Sequence, residues 1–461
     1  MKIHSDRSRI RAAFVNSGKF GFPEAERKLA SMCLTIHLDE SVASTPAGQA
    51  AALTAVLTGA RCFSTVTITG AINAPLLVDL PVGGACVGDA AKRFGAKTKP
   101  SSAPSRLVLI GGSGSGQPGW AVRAIWNGWS GGIAPASQNV TIGRSDCPLA
   151  GIAAGALAVG HAFFAEQDDR RAGRTMQGVS LWTPDLGGGV GQAWMDDPGP
   201  LYREVFLPEA LWLVGLGNLG QAFMWSLTWL PYADPARLML FLQDDDLVGE
   251  ENWGTSVLVR RGRYNVLKTR VAEEWAEHCG YKVRRIDRRL DEQMRRTVTE
   301  PGIALAGLDR MPARRLLGLP GFDYVIDAGL GADAHDFHRL RVNVFDADRT
   351  PSEHFEGVED KTADRIETIK QLPAYQAHGR KSAEASCGMV ELAGISVAAP
   401  FVSAVAGAMA ITQVIRIASN LAPYSSIYGP LDDLRGVRAV QGNVSPRATI
   451  GSVAANPSGS I

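Results

Sequence analysis

Gly215, Gly217 and Gly220 stand between a short apolar run, Trp212 to Val214, and a longer apolar stretch that ends in SLTWL. The run reads as a buried strand and the stretch as a helix, which leaves a G-x-G-x-x-G turn between them. In such a turn the first glycine permits the reversal, the second lets a phosphate approach the backbone, and the third lets helix and strand pack closely. A second strand, Arg237 to Gln243, runs into Asp244, Asp245 and Asp246, with Asp244 29 residues after Gly215. An acid at that strand tip can accept hydrogens from both ribose hydroxyls, whether of NAD or of ATP.

The residues downstream separate those two nucleotides. VGEENWGTSVLVRRGRYNVLKTR and ALAGLDRMPARRLL supply Asn252, Lys268 and Asp309, a set for which a dehydrogenase has no need. From Leu211 to Ile417 the chain resembles the ThiF/MoeB and ubiquitin-activating enzyme superfamily. Asp244, Asp246 and Val248 fit its D-x-D-x-V; Asn252 falls eight residues past Asp244, Lys268 sixteen past Asn252, and Asp309 forty-one past Lys268. The set suits carboxylate adenylation, in which a carboxylate attacks the α-phosphate of ATP, negative charge accumulates, and catalysis is mostly positioning and neutralisation. The resemblance implies ATP and Mg2+ as ligands. It places the metal on Asp309, the phosphates against Lys268 as a mobile point charge, and Asn252 beside them as an orienting group.

One departure stands out. Where the family has an arginine three residues after the Asn, this chain has Thr255. Arg260, Arg261 and Arg263 are the nearest substitutes, and Arg7, Arg9 and Arg11 are candidates for the arginine that family members draw from a partner lobe.

Cys387 ends a polar, charged stretch from Asp346 to Gly388, and ThiF-type proteins carry a reactive cysteine in a similar place. A thiolate there could capture the adenylated carboxylate as a thioester; a buried structural cysteine is the plainer alternative. The family further implies a ubiquitin-like or sulfur-carrier protein ending in Gly-Gly as substrate, with a conjugating enzyme as a possible second partner. The alternatives are adenylation of a small-molecule or tRNA-linked carboxylate, and a non-catalytic ThiF-like scaffold.

These groups need a frame, and the sequence offers a repeated one. PLAGIAAGALAVGHAFF from Pro148 matches PFVSAVAGAMAITQVIR from Pro400 at an offset of 252, and Val108 to Asn127 matches Val325 to Val344 at an offset of 217. The expected fold is therefore α/β, with two Rossmann-like ThiF-type lobes of which the C-terminal one holds a complete nucleotide site. Residues 1–170 would form a silent pseudo-adenylation lobe, 171–208 a linker, 209–420 the active lobe with a crossing loop at 346–388, and 421–461 a C-terminal tail. The lobes would make a pseudo-dimer within one chain.

Lys plus Arg number 47 and Asp plus Glu 46, for a formal charge of +1, which removes the case for a nucleic-acid or acidic-membrane binder. The two Ala-rich segments approach membrane length, but one is short and the other broken by Gly394 and Pro400, so both are expected to be core helices. Six cysteines without a CxxC pair suggest no zinc knuckle and a reducing cytoplasm.

Overall fold

The computed structural model of the chain describes residues 5–99, 105–112, 119–186, 193–380, 389–443 and 450–455. Cys387 lies outside them, as does most of the first lobe's GGSGSG string.

Helices α1 (Ser8–Val15) and α2 (Phe22–Ser31) precede the first α/β lobe. That lobe runs β1 (Cys33–Leu38), α3 (Pro46–Cys62), β2 (Thr65–Gly70), α4 (Val87–Arg93), β3 (Arg106–Ile110), β4 (Ala121–Asn127), β5 (Ser130–Pro135), α5 (Pro148–Glu166) and β6 (Gln177–Ser180). A short helix α6 (Ala193–Asp196) and strand β7 (Phe206–Pro208) lead into the second lobe. There follow β8 (Ala210–Val214), α7 (Asn218–Leu227), β9 (Met239–Gln243), α8 (Lys268–His278), β10 (Lys282–Ile286), β11 (Ile303–Ala306), α9 (Met311–Leu316), β12 (Tyr324–Leu330) and β13 (Arg339–Phe345). Next come α10 (Pro351–His354), α11 (Thr362–Lys370), α12 (Pro373–Gly379), α13 (Met389–Gly394), α14 (Pro400–Ala418), β14 (Tyr424–Pro430), β15 (Arg438–Gln441) and β16 (Ser452–Ala454).

The sheets are ordered β2-β1-β3-β4-β5-β6 and β10-β9-β8-β11-β12-β13-β14-β15. Without its outer strands β10 and β15, the second repeats the first strand for strand. In each, a parallel set ends in antiparallel additions: β5 and β6 in one, β13 to β15 in the other. Short apolar runs such as LWLV and IALA suit parallel strands covered on both faces.

This equivalence corrects one expected repeat. Helices α5 and α14 do occupy the same place, as the 252-residue offset requires. The 217-residue match pairs the wrong strands: β3 and β4 are parallel neighbours, whereas β12 and β13 are antiparallel. The true partners of β12 and β13 are β4 and β5, and β3 corresponds to β11. A strand, a glycine-containing turn and another strand look alike in sequence whichever way the second strand runs. The second lobe also carries much more chain before its long helix, residues 346–399 against residues 136–147.

The described residues of that crossing stretch include α10 to α13, with Tyr375 and Ile369 buried. Tyr375 Oη donates to Asn16 Oδ1 at 2.7 Å, which fastens the stretch to the end of α1. The C-terminal residues supply β14 and β15 to the second sheet, and β16 pairs with β7.

The two near-membrane-length helices are core, each completely buried through its apolar window. They begin with Pro at the first helical position, where the missing N–H costs nothing. Phe401 of α14 meets Phe163 and Phe164 of α5, both with ring centroids at 5.7 Å. A Cβ at Gly151 or Gly155 would fall 2.1 or 2.2 Å from backbone oxygens of α3, so small residues set that helix spacing.

Candidate functional site

The loops after β8, β9 and β11 converge at the carboxyl ends of three neighbouring parallel strands. This is where the order reverses around β8, the usual place for a ligand in an open α/β sheet. Gly215 adopts φ +84°, a left-handed value that favours glycine. A Cβ on Gly220 would meet Gly215 O at 2.1 Å, while the space around Gly217, at the start of α7, is open. The turn is thus tight where backbone meets backbone and bare where a phosphate would rest.

Asp244 locks this turn to the β9 loop. One carboxylate oxygen accepts from Leu216 N at 2.6 Å and the other from Asp246 N at 2.8 Å. Burial pushes its pKa up, opposed by Lys268. Lys268, the first residue of α8, pairs with Asp246 at 2.6 Å and stands 4.0 Å from Asp244. Burial raises the Asp246 pKa, but the bond to and charge of Lys268, with Arg289 and Arg310 nearby, outweigh it and hold the carboxyl below the usual range. Asp245 pairs with Arg289 at 2.8 Å. The Lys268 backbone N–H donates to Asp246 O, so the lysine's place depends on the aspartate loop in two ways.

Asn252 lies in a short 3-10 turn, Glu250–Gly254, where its Oδ1 accepts from Gly249 N at 2.7 Å. Thr255 is buried at the end of that turn. Asp309 is exposed on the loop after β11. That loop abuts the glycine turn, since Gly307 N donates to Val214 O at 2.9 Å. The geometry therefore brings Gly215, Gly217, Gly220, Asp244, Asp246 and Lys268 together, with Asp309 on the adjoining loop and Asn252 occupied in holding its own turn.

The six arginine candidates sort by their contacts. Arg260 donates to Pro81 O, Arg261 pairs with Asp6 and lies 3.8 Å over the Trp253 ring, and Arg263 pairs with Glu274. Arg7 donates to Phe63 O at 2.6 Å, and Arg11 pairs with Glu26 at 3.1 Å. Arg9 Nε, like that of Arg7, is inaccessible to solvent and has no hydrogen-bond partner among the described residues. Burial lowers its pKa, against the nearby charges of Glu251 and Asp309. The sequence left these candidates undivided, although helical spacing separates them: Arg7 and Arg11 share one face of α1, and Arg9 points away from it.

Two further residues at the site were not singled out by sequence. Arg314 of α9 reaches back to the Asp309 loop, and Asp327 of β12 is a buried acid beneath it. An aspartate inside the otherwise apolar YVIDAGL strand is the signal that was available.

The first lobe ends its equivalent strand, β1, in Leu38-Asp39-Glu40 without a glycine turn. Asp39 accepts from the backbone and hydroxyl of Ser41, and its pKa is lowered mainly by the hydroxyl. A cavity of about 600 Å3 there is lined by His37, Asp39, Glu40, Ser44 and Asn73, without a lysine or arginine among its lining residues.

The family model for the BilD N-terminal domain matches residues 33–181, and that for the BilD C-terminal domain matches residues 207–421. The bacterial E1-like protein BilD of Collimonas sp. (strain OK412) is 32% identical over 422 residues, spanning 90% of this chain and 88% of that relative. Among solved structures, E. coli MccB with selenomethionine MccA is 13% identical, covers 71% of this chain and 97% of that one, and has a TM-score of 0.36. Selenomethionine PaaA is 14% identical, covers 51% and 73%, and has a TM-score of 0.31.

Proposed function

This chain belongs to the BilD family of bacterial E1-like proteins, and from that premise we propose that it activates the C-terminal carboxylate of a small protein by adenylation with ATP. A carboxylate oxygen attacks the α-phosphorus, the bond to the bridging oxygen of the β-phosphate breaks, and pyrophosphate leaves with the electron pair. The product is an acyl-adenylate.

The charge on triphosphate and carboxylate must be met by fixed cations and dipoles. The bare turn at Gly217 and the start of α7 offer backbone N–H groups. Asp244 would accept hydrogen bonds from the ribose hydroxyls, and Lys268, which approaches it from α8, would meet the phosphates. Asp309 would hold Mg2+, which when bound would neutralise phosphate charge. The observation that carries the reading is Arg9: an arginine with a buried, unpartnered Nε, contributed by the N-terminal helix, beside Glu251 and Asp309. A partly buried cation whose Nε has no acceptor gains when a phosphate arrives to meet it. Arg9 thereby serves as the arginine that family members draw from a partner lobe, while Asn252 in its present contacts supports the loop.

The finer reading is a ubiquitin-like or sulfur-carrier substrate ending in Gly-Gly, captured next by Cys387. The thiolate attacks the acyl carbon, the bond to AMP breaks, AMP leaves and a thioester forms. Burial pushes the Cys62 and Cys279 thiols up to about 12 and raises Cys147 as well, which makes those three poor nucleophiles. The first lobe, with no glycine turn after β1 and no lysine or arginine among the residues lining its cavity, would be the silent half of a pseudo-dimer whose equivalent helices α5 and α14 meet.

The test uses a candidate carrier, a small protein ending in Gly-Gly. Carrier-dependent exchange of labelled pyrophosphate into ATP is expected, with loss by Asp309→Ala; exchange persisting in that variant removes the assignment. A reductant-sensitive carrier adduct should be absent from Cys387→Ala, and its survival there rules the thiol out.

A further inference from the structure

Arg314 lies five residues past Asp309 and turns back toward it. Its Nε donates to Leu308 O at 2.9 Å and its Nη2 to Ala328 O of β12 at 3.1 Å. The guanidinium rests on Gly329, where a Cβ would fall 2.7 Å from Nη2. Beneath it sits Asp327, with a side chain 1% exposed and Oδ1 3.6 Å from Arg314 Nε. No hydrogen bond of good geometry reaches either carboxylate oxygen of Asp327, and the Asn343 side chain is the polar group close enough to lower its pKa by hydrogen bonding. The groups facing it are Arg314 from α9, and Arg341 and its cross-strand neighbour Asn343 from β13.

A carboxylate buried in an apolar strand with so few hydrogen bonds costs the fold stability, and a small apolar residue would avoid that cost. Such a group is retained where its charge orients something, and the cation in reach is the one that bridges Leu308 to Ala328. We infer that Arg314 and Asp327 form a positioning pair that pins the Leu308–Asp309 loop to β12 and so fixes where Asp309 meets the metal of bound ATP. The inference rests on the adenylation reading.

Burial pushes the Asp327 carboxyl up to about 6. Because this lies above its ordinary value, protonation favours the folded chain. Acidification through that range therefore relieves strain on the fold while it removes the counterion of Arg314. Stability and loop order move in opposite directions, which a merely structural carboxylate would not produce.

Asp327→Asn fixes the residue in a neutral form of the same shape, and Arg314→Lys keeps the charge but loses the planar bridge. Both are made in the full chain and compared with wild type by amide hydrogen exchange at residues 308–310. Affinity for ATP is measured with Mg2+ and with EDTA. At about pH 7.5 exchange in Asp327→Asn should be roughly tenfold faster and the Mg2+-dependent gain in ATP affinity roughly tenfold smaller. Both differences should vanish at about pH 5, and the variant-to-wild-type ratio cancels the titration of ATP itself. Its urea midpoint at about pH 7.5 should be no lower than wild type. Arg314→Lys should show the faster exchange at both pH values. Wild-type protection and affinity in Asp327→Asn, or a lowered midpoint with unchanged loop exchange, overturn the inference. A wild-type chain that binds no ATP would overturn the adenylation reading instead, while the exchange comparison would still decide on the pair.

Discussion

Arg9 concentrates the electrostatic problem of the site in one residue. Arg7 donates to Phe63 O and Arg11 pairs with Glu26, whereas the groups that face Arg9 are the carboxylates of Glu251 and Asp309. Removing Arg9 should cost little stability, since its Nε makes no hydrogen bond and burial opposes its charged form. Removing a charge that meets the transferring phosphate should cost on the order of 100-fold in rate. Arg9→Ala is therefore expected to lower kcat/KM for carrier-dependent pyrophosphate exchange about that much, with an unfolding midpoint equal to or above wild type. Arg7→Ala should do the reverse, losing about 1 kcal/mol of stability for its bond to Phe63 while leaving exchange nearly intact. Equal loss of activity in both variants would sink the assignment. The local part of the site was legible for a simple reason: the glycine turn, Asp244, Asp246 and Lys268 lie within one strand-helix-strand-helix unit, so spacing along the chain fixes spacing in the fold. Arg9 comes from α1, near the opposite end of the chain, and no local pattern announces that contact.

At the scale of elements, α5 shows how an apolar helix can carry a polar residue for structural ends. His161 is fully buried. Its Nδ1 accepts from Gly173 N at 3.1 Å, and Nε2 meets Gln177, whose Oε1 in turn accepts from Leu434 N. The ring thus connects α5 and β6 to the C-terminal segment beside β14, and it must stay neutral to accept from Gly173. Burial depresses its pKa to about 4, with Asp432 and Asp169 opposing. A folded-state value below the ordinary 6.5 means that the unfolded chain takes up the proton first. The contribution is fully present above about 6.5 and is lost as pH falls toward 4, amounting to roughly 3 kcal/mol from about 1.4 kcal/mol per unit. Urea titrations between those limits should show that loss in wild type and a flatter dependence in His161→Gln; parallel curves would refute it. The helix itself was readable from its Ala-rich run, and its match to α14 placed it correctly. The strand match failed by one position because a short apolar strand carries no record of its direction.

For the whole molecule, the question is whether two α/β lobes behave as two folding units. Their sheets repeat the same order, but the helices between them form a shared core. Phe401 of α14 inserts beside Phe163 and Phe164 of α5, and Trp225 Nε1 of α7 donates to Thr54 Oγ1 of α3 at 2.9 Å. Arg61 of α3, also fully buried, donates to Val257 O at 2.7 Å and Val259 O at 3.3 Å, directly behind the turn that holds Asn252. Either lobe alone would expose a helix that is apolar all round, an arrangement stable only when buried. The two lobes are therefore expected to unfold together, giving one calorimetric transition despite two sheets. Phe401→Ala should move that single transition down intact, by the roughly 3 to 5 kcal/mol typical of emptying a buried aromatic position. Two resolved transitions in wild type, or a Phe401→Ala chain in which one lobe melts early while the other keeps its midpoint, would contradict a common core. The same coupling explains how a lobe without a nucleotide turn can matter to the site: α1 and α3 deliver Arg9 and Arg61 only while the shared helical layer holds.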